Sequence, residues 1–211
     1  ITYTNNDYGK GLADVYAAAV KAHGIKVTTS AAHEDGKADY SAEVATLASA
    51  GGDAVAVIGY LDQGGKGIIQ GSLDSGAFDT FILSDGMIGD SLTDTFGKSL
   101  NKSFGSLPGS TGKGAGVFAK VAKAAGIDSS GPYTGESYDA AALITLAMQA
   151  GGKADRATIQ KNVMSVANAP GKKIYPGELK KALDLLAKGK DINYEGATGV
   201  EFTEVGEAFG S

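Results

Sequence analysis

Residues 54–86 read AVAVIGYLDQGGKGIIQGSLDSGAFDTFILSDG, and the fold class follows from how this stretch divides. Ala54–Ile58 is an unbroken apolar run without polar alternation, the pattern of a strand buried on both faces. From Gln63 to Ser75 the apolar residues Ile68, Ile69 and Leu73 fall at helical spacing and predict a helix with those three inward. Phe81–Leu83 is then a second apolar strand. Strand, helix and strand in this order make a βαβ unit, in which the strands run parallel and the crossover is right-handed.

The alternation continues outward. Ile1–Thr4 reads as a buried strand, and a helix is expected over Gly9–Ala22 with Leu12, Val15, Tyr16, Ala19 and Val20 inward. Gly24 follows its end, and Ile25–Thr29 is the next expected strand. Asp39 or Ser41 is placed to cap a helix carrying Val44, Leu47 and Ala48, closed by Gly51-Gly52. Downstream, Ser91–Phe96 predicts a short helix.

The pattern changes at Ser106-Leu107-Pro108-Gly109, a turn-rich stretch that marks a lobe boundary. Beyond it, helices are expected over Ala115–Ala125, Glu136–Ala150, Asp155–Ala167 and Gly177–Lys188, with one strand, Gly199–Phe202, last. The fold class is therefore α/β. Residues 1–107 are expected to form a lobe of βαβ units on a parallel sheet, and residues 108–211 a mainly helical part.

Composition narrows the function. The 211 residues are 43% hydrophobic and 20% charged, which fits a globular chain and not a disordered one. Net charge is −5, and the 19 basic residues form no patch interleaved with aromatics, so nucleic acid is not an expected partner. Cys is absent, which removes disulfides and thiolate metal sites. The longest apolar runs, Ala54–Ile58 and Ala140–Met148, are too short to span a bilayer, and no signal-peptide pattern opens the chain. Gly, at 32 residues, is about twice its usual share, which predicts many short turns between regular elements.

Ligands of open parallel sheets bind beyond the carboxyl ends of the strands. Three such ends here carry distinctive residues: Asn5-Asn6-Asp7-Tyr8-Gly9, Gly59-Tyr60 and Ser84-Asp85-Gly86. Two tyrosines and a carboxylate at one rim suit an ammonium group, through a charge-assisted hydrogen bond and cation–π attraction. A single Tyr taken alone is better read as a turn cap or loop packing. Three at three strand ends favour a site.

Enzyme readings fail residue by residue. In Tyr8-Gly-Lys-Gly-Leu-Ala-Asp14 the third Gly of a dinucleotide fingerprint is replaced by Asp14. In Leu107–Gly114 a phosphate loop would need Gly at Leu107 and Ser or Thr at Gly114, so a solvated hinge loop is expected instead. His23 and His33, the two histidines, have no ligand spacing, and surface roles are expected for both. No poised nucleophile is in view. No catalytic residue, cofactor or metal is expected.

Asn6-Asp7-Tyr8-Gly9-Lys10-Gly11, Gly59-Tyr60 and Asp85-Gly86 resemble the leucine/isoleucine/valine-binding protein family. Its members are type I periplasmic binding proteins of branched-chain and hydrophobic amino-acid ABC transporters. Ser130-Gly131-Pro132-Tyr133, Tyr138-Asp139-Ala140-Ala141 and Tyr194–Phe202 match as well, in order and spacing, along nearly the whole chain. The resemblance implies that Tyr8 and Tyr60 line a ligand cleft and that Asp85 pairs with the ligand's α-ammonium, where founding members carry Glu. Tyr138 matches a position that contacts ligand in some relatives, and a packed helix-start aromatic serves it equally well.

The family's chains begin with an N-terminal segment of the first lobe that has no counterpart here. On this reading residues 1–107 are the second lobe and residues 108–211 the return into the first. The carboxylate-holding half of the site belongs to that absent segment. Helices after Gly109 would then normally cover a sheet formed largely by it, and their apolar faces are expected to be left open. The resemblance implies a periplasmic, monomeric receptor with an amino-acid ligand and a membrane permease as partner, without insertion into the membrane. The alternative is a ligand-sensing domain of a receptor or regulator on the same fold. An α/β enzyme lobe is the third reading.

Overall fold

The computed structural model describes residues 1–109 and 112–208. The chain divides into two compact units, Ile1–Leu107 and Pro108–Ser211.

The first unit opens with β1 (Thr2–Thr4), α1 (Asp7–Ala22), β2 (Ala31–His33), α2 (Ser41–Ala50) and β3 (Val55–Ile58). A single π-helical turn, Leu61–Gly65, leads into α3 (Lys66–Asp74), followed by β4 (Phe81–Leu83). A 3₁₀ turn, Asp85–Met87, precedes α4 (Asp90–Phe96), and β5 (Phe104–Gly105) closes the unit. The five strands form one sheet in the order β2-β1-β3-β4-β5, parallel throughout. All four residues of β3 are buried, which is why the segment carries no polar alternation. Val55, Val57, Phe81 and Leu83 pack against Leu47, Ile68 and Ile69 in the main core.

Three local expectations are corrected. The second strand is Ala31–His33, not Ile25–Thr29. Thr2 pairs with Ala31, and the Ile1 amino group already meets the Thr29 carbonyl at 2.9 Å. Residues 25–28 therefore lie past the end of the neighbouring strand, and Ile25 is exposed despite its β-branched surroundings. In α1, Val15 points outward at 68% exposure, and the buried residues are Gly9 and Ala13. The helix docks through its small residues, and Val15 lies about 200° further round than Ala13 at about 100° per residue. His33, for which a surface role was expected, ends β2 with its ring buried at 1% exposure.

The second unit contains α5 (Lys113–Ala124), α6 (Thr134–Gly151), α7 (Arg156–Ala167), β6 (Lys172–Ile174), α8 (Leu179–Leu186) and β7 (Ile192–Tyr194). It is mainly helical, and β6 and β7, neither of them predicted, pair in parallel. Ile174, Ile192 and Tyr194 are buried with Leu143, Leu146 and Val166. On the other side of α6, Ala140, Ala141 and Ile144 stay exposed. The strand expected at Gly199–Phe202 is absent; Phe202 makes a single antiparallel bridge to Ala208. The loop reading of Gly109–Gly114 falls in part on residues 110 and 111, outside the described residues.

Asp139 explains why the chain turns after β7. Its carboxylate, 3% exposed, accepts hydrogen bonds at 2.8 Å from the Tyr194 hydroxyl, the Ala197 and Thr198 amides and the Thr198 hydroxyl. Gly196 adopts φ 56° against this carboxylate, where a Cβ would overlap it. Burial, with Asp139 alongside, holds the Tyr194 hydroxyl well above its ordinary pKa, so it remains a donor. Replacing Asp139 with Ala leaves these buried donors unmatched, at about 1–3 kcal/mol each. We expect Asp139→Ala to lower the urea unfolding midpoint of the full chain by an amount equivalent to about 3 kcal/mol or more. Asp139→Asn should lose a comparable amount, because its amide turns donors toward donors. A midpoint shift below about 1 kcal/mol for either variant contradicts this role.

Candidate functional site

The site forms where β1, β3 and β4 end. Asn6 caps α1, its side chain accepting from the Gly9 amide at 2.9 Å, and Asp7 in the first turn suits the positive helix end. The helix therefore starts at the rim of the sheet and places Tyr8 there, half-buried. Gly9 then passes so near Thr4 that a Cβ would overlap the Thr4 carbonyl oxygen. Tyr60 follows Gly59 at the end of β3, and its carbonyl accepts from the Gln63, Gly64 and Gly65 amides that open the π-helical turn. Ser84 and Asp85 follow β4, with Asp85 beginning the 3₁₀ turn.

Three of the expected residues are brought together. The rings of Tyr8 and Tyr60 stack with centroids 5.3 Å apart and planes 24° from parallel. The Tyr8 hydroxyl donates to Asp85 Oδ1 at 2.7 Å. Ser84, to which the sequence assigned no role, joins them, its Oγ lying 3.1 Å from the Tyr8 hydroxyl and accepting from the Gly59 amide at 3.3 Å. The proton order follows from supply and demand. The Tyr8 proton goes to the carboxylate, so the Ser84 hydroxyl donates to Tyr8 and uses its lone pair for Gly59. Burial raises the Tyr8 pKa, and Asp85 raises it further, against opposing hydrogen bonds from Ser84 and Gly86. Tyr8 stays a neutral donor at physiological pH.

Tyr138 belongs to the second unit. Its hydroxyl accepts from the Gly177 amide at 2.9 Å, and its ring lies 5.2 Å from that of Phe118. There it packs beside Phe118, Ala122 and Ala197. Lys113, from the stretch compared with a phosphate loop, lies over the Tyr175 ring at 4.5 Å. Among the described residues, no group of three or more His, Asp or Glu is placed to hold a metal ion, and no helix is long and apolar enough to cross a membrane.

The arrangement offers a carboxylate and two aromatic faces at the carboxyl edge of a parallel sheet, which is where such sheets bind small molecules. No family model matches the chain. A type I periplasmic binding protein from Bordetella pertussis Tohama I superposes with a TM-score of 0.67 at 22% identity, over 81% of this chain and 50% of that one. The leucine-binding protein LivK from Thermotoga maritima MSB8 does so with a TM-score of 0.68 at 19% identity, over 98% of this chain and 53% of its own. The chain thus has the type I periplasmic-binding-protein fold, and it spans about half the length of the solved structures it matches. In sequence it is 40% identical over 68 residues to BasB, a substrate-binding protein of a chemotactic signal transduction system in Halobacterium salinarum. That match takes in 32% of this chain and 16% of BasB.

The two glycines of Tyr8-Gly9-Lys10-Gly11 have opposite surroundings and predict opposite outcomes. Gly9→Ala forces α1 away from Thr4, and we expect a loss of about 2 kcal/mol or more with the Tyr8–Tyr60 contact disturbed. At Gly11 a Cβ meets nothing within 4 Å, inside a regular helix. Gly11→Ala should raise stability by about 0.5–1 kcal/mol. Thermal unfolding of both variants reads the difference, and equal shifts would contradict the close approach at Gly9.

Proposed function

We propose that this chain is the greater part of an extracytoplasmic solute-binding receptor that captures an amino acid between two lobes and hands it to an ABC transporter permease. Ile1–Leu107 is read as the second lobe, and the residues from Pro108 onward as the return into the first. The observation that carries the reading is the convergence of Tyr8, Tyr60 and Asp85 at the carboxyl edge of the parallel sheet. Asp85 takes the α-ammonium, and the stacked rings form the apolar wall beside it. Function is domain closure with higher affinity for the closed state, and no bond is made or broken. The protein works as a monomer in the periplasm, requires no cofactor, and Tyr138 is a further ligand contact on this reading. Support comes from the shared fold, since LivK is named for leucine binding and the matched structures are binding proteins.

A second reading has its own observation. BasB serves chemotactic signal transduction by name, so the liganded receptor here would present itself to a signalling partner instead of a permease. Both readings share the site and differ in what recognises the closed form.

The test is calorimetric titration of the full-length protein with a panel of amino acids. A hydrogen bond to a charged group contributes about 1.5–3 kcal/mol. Asp85→Ala should therefore weaken binding about tenfold to over a hundredfold, and Asp85→Asn nearly as much, because the amide keeps the shape and loses the charge. Tyr60→Phe should cost less than Tyr8→Phe, since the Tyr8 hydroxyl bonds the carboxylate. Equal affinities for wild type and Asp85→Asn would remove Asp85 from the site, and with it the chemical reason for an amino-acid ligand.

A further inference from the structure

His33 is buried at the end of β2, close to Gly59 at the end of β3. Its Nδ1 lies 2.9 Å from the Thr2 hydroxyl, while Nε2 has no hydrogen-bond partner. Two other buried polar atoms lack partners, Asp35 Oδ1 in the loop after β2 and Glu43 Oε2 in the first turn of α2. Both carboxylates act on the imidazole, together with the exposed Glu34. Glu43 Oε1 is held by Lys37 at 2.5 Å, which keeps its carboxyl ionised below its ordinary range, and Glu34 accepts from Asn5. The Tyr40 ring meets His33 edge-on at 6.2 Å. From the end of β3 and the π-helical turn, Gly59 and Gly64 come close to the ring. A Cβ on Gly59 would lie 3.2 Å from Nε2, and one on Gly64 3.3 Å from Cδ2.

A buried polar atom without a partner is costly, and an unpartnered imidazole nitrogen with two unpartnered carboxylate oxygens of groups acting on it forms an arrangement that a single added proton would rebalance. We propose that His33 is an acid-responsive element beside Gly59: a proton taken up on its ring draws it toward Asp35 and Glu43 and, through Gly59 and Gly64, shifts the Tyr8–Tyr60 pair. The route is contiguous. The ring is packed against Gly59, and the Gly59 amide holds Ser84, which in turn orients the Tyr8 hydroxyl. Gly64 belongs to the turn whose first amides hang from the Tyr60 carbonyl.

The sign is set by burial, which lowers the His33 pKa more than Asp35, Glu43 and Glu34 raise it. The ring is neutral at neutral pH. Its contribution to stability is complete above the ordinary imidazole value of about 6.5 and is lost as pH falls from there toward the folded-state pKa. The site should loosen at the lower end of that window, as pH falls through the folded-state pKa and the native ring takes up its proton. No ligand enters this argument, so it stands or falls separately from the amino-acid reading.

An NMR titration of the full-length protein from neutral pH to about pH 4.5, without ligand, tests it. The ring signals of His33 are identified by their loss in His33→Asn. We expect its midpoint below about 6.5, with the Gly59, Tyr60 and Tyr8 signals moving at the same midpoint. In His33→Asn those signals should stay still over the range. Glu43→Gln removes a carboxylate that favours the proton, and it should move the His33 and tyrosine midpoints to lower pH together. This second variant decides the matter if His33→Asn does not fold. The proposal is overturned if His33 does not titrate in the range, if it titrates while Gly59, Tyr60 and Tyr8 stay still, or if the midpoints separate in Glu43→Gln.

Discussion

The backbone of Gly86 passes so near the Gly59 carbonyl oxygen that a Cβ at position 86 would overlap it and would also press on the Tyr60 ring. This close approach holds the turn after β4 against the end of β3. Without it, Ser84 could not reach the Gly59 amide, and Asp85 would not meet the hydroxyl of Tyr8. Gly9 has the same effect on the other flank, because it lets α1 start directly against Thr4. The parallel ladder levels the three strand ends, with Thr2 opposite Val57 and Val57 opposite Leu83. Two glycines then draw the three following segments inward. The side chains that carry the chemistry are placed by residues that carry none.

Much of this was legible from residue types and spacing. Ala54–Ile58 and Phe81–Leu83 show themselves as buried strands because a parallel strand needs apolar residues on both faces. Tyr8, Tyr60 and Asp85 come together because topology, not sequence distance, decides what meets at a carboxyl edge. Ser84 was passed over because a Ser beside an Asp at a strand end reads as turn chemistry. Its role appears only when the Gly59 amide and the Tyr8 hydroxyl are both in place.

The misreadings have physical causes of the same kind. Ile25–Thr29 has strand composition, but pairing requires a neighbour, and β1 offers one only from Thr29 onward. His33 was taken for a surface residue because the strand was placed too early, which moved the histidine into a loop. Lys172–Ile174 and Ile192–Tyr194 are three residues each, and their burial depends on α6 and α7, far away in the chain. With Lys172, Lys173 and Asn193 in them, neither carries the unbroken apolar run that marks Phe81–Leu83. Asp139 directly follows Tyr138, and nothing in the local sequence separates a buried carboxylate from an ordinary charge in the first turns of a helix. The carboxylate is the residue on which the turn after Tyr194 depends.

Asp85 and Asp139 show how one side-chain type is put to two uses by its surroundings. Asp139 is closed off from water and surrounded by donors fixed by its own unit, which leaves it no freedom and suits a structural role. Asp85 is half-buried at a rim, and its hydroxyl neighbour Tyr8 stands on a separate element, the first turn of α1. On the proposed function, a carboxylate bonded by the Tyr8 hydroxyl and partly open to solvent retains the capacity to exchange water for a ligand cation without leaving a buried charge behind. Binding at such a place costs little desolvation, and its selectivity then comes from the walls around the charge. The Tyr8–Tyr60 stack supplies one wall. On the proposed function, this division between a fixed carboxylate within one unit and one at the open rim of the other's sheet allows reversible binding without putting the fold at risk.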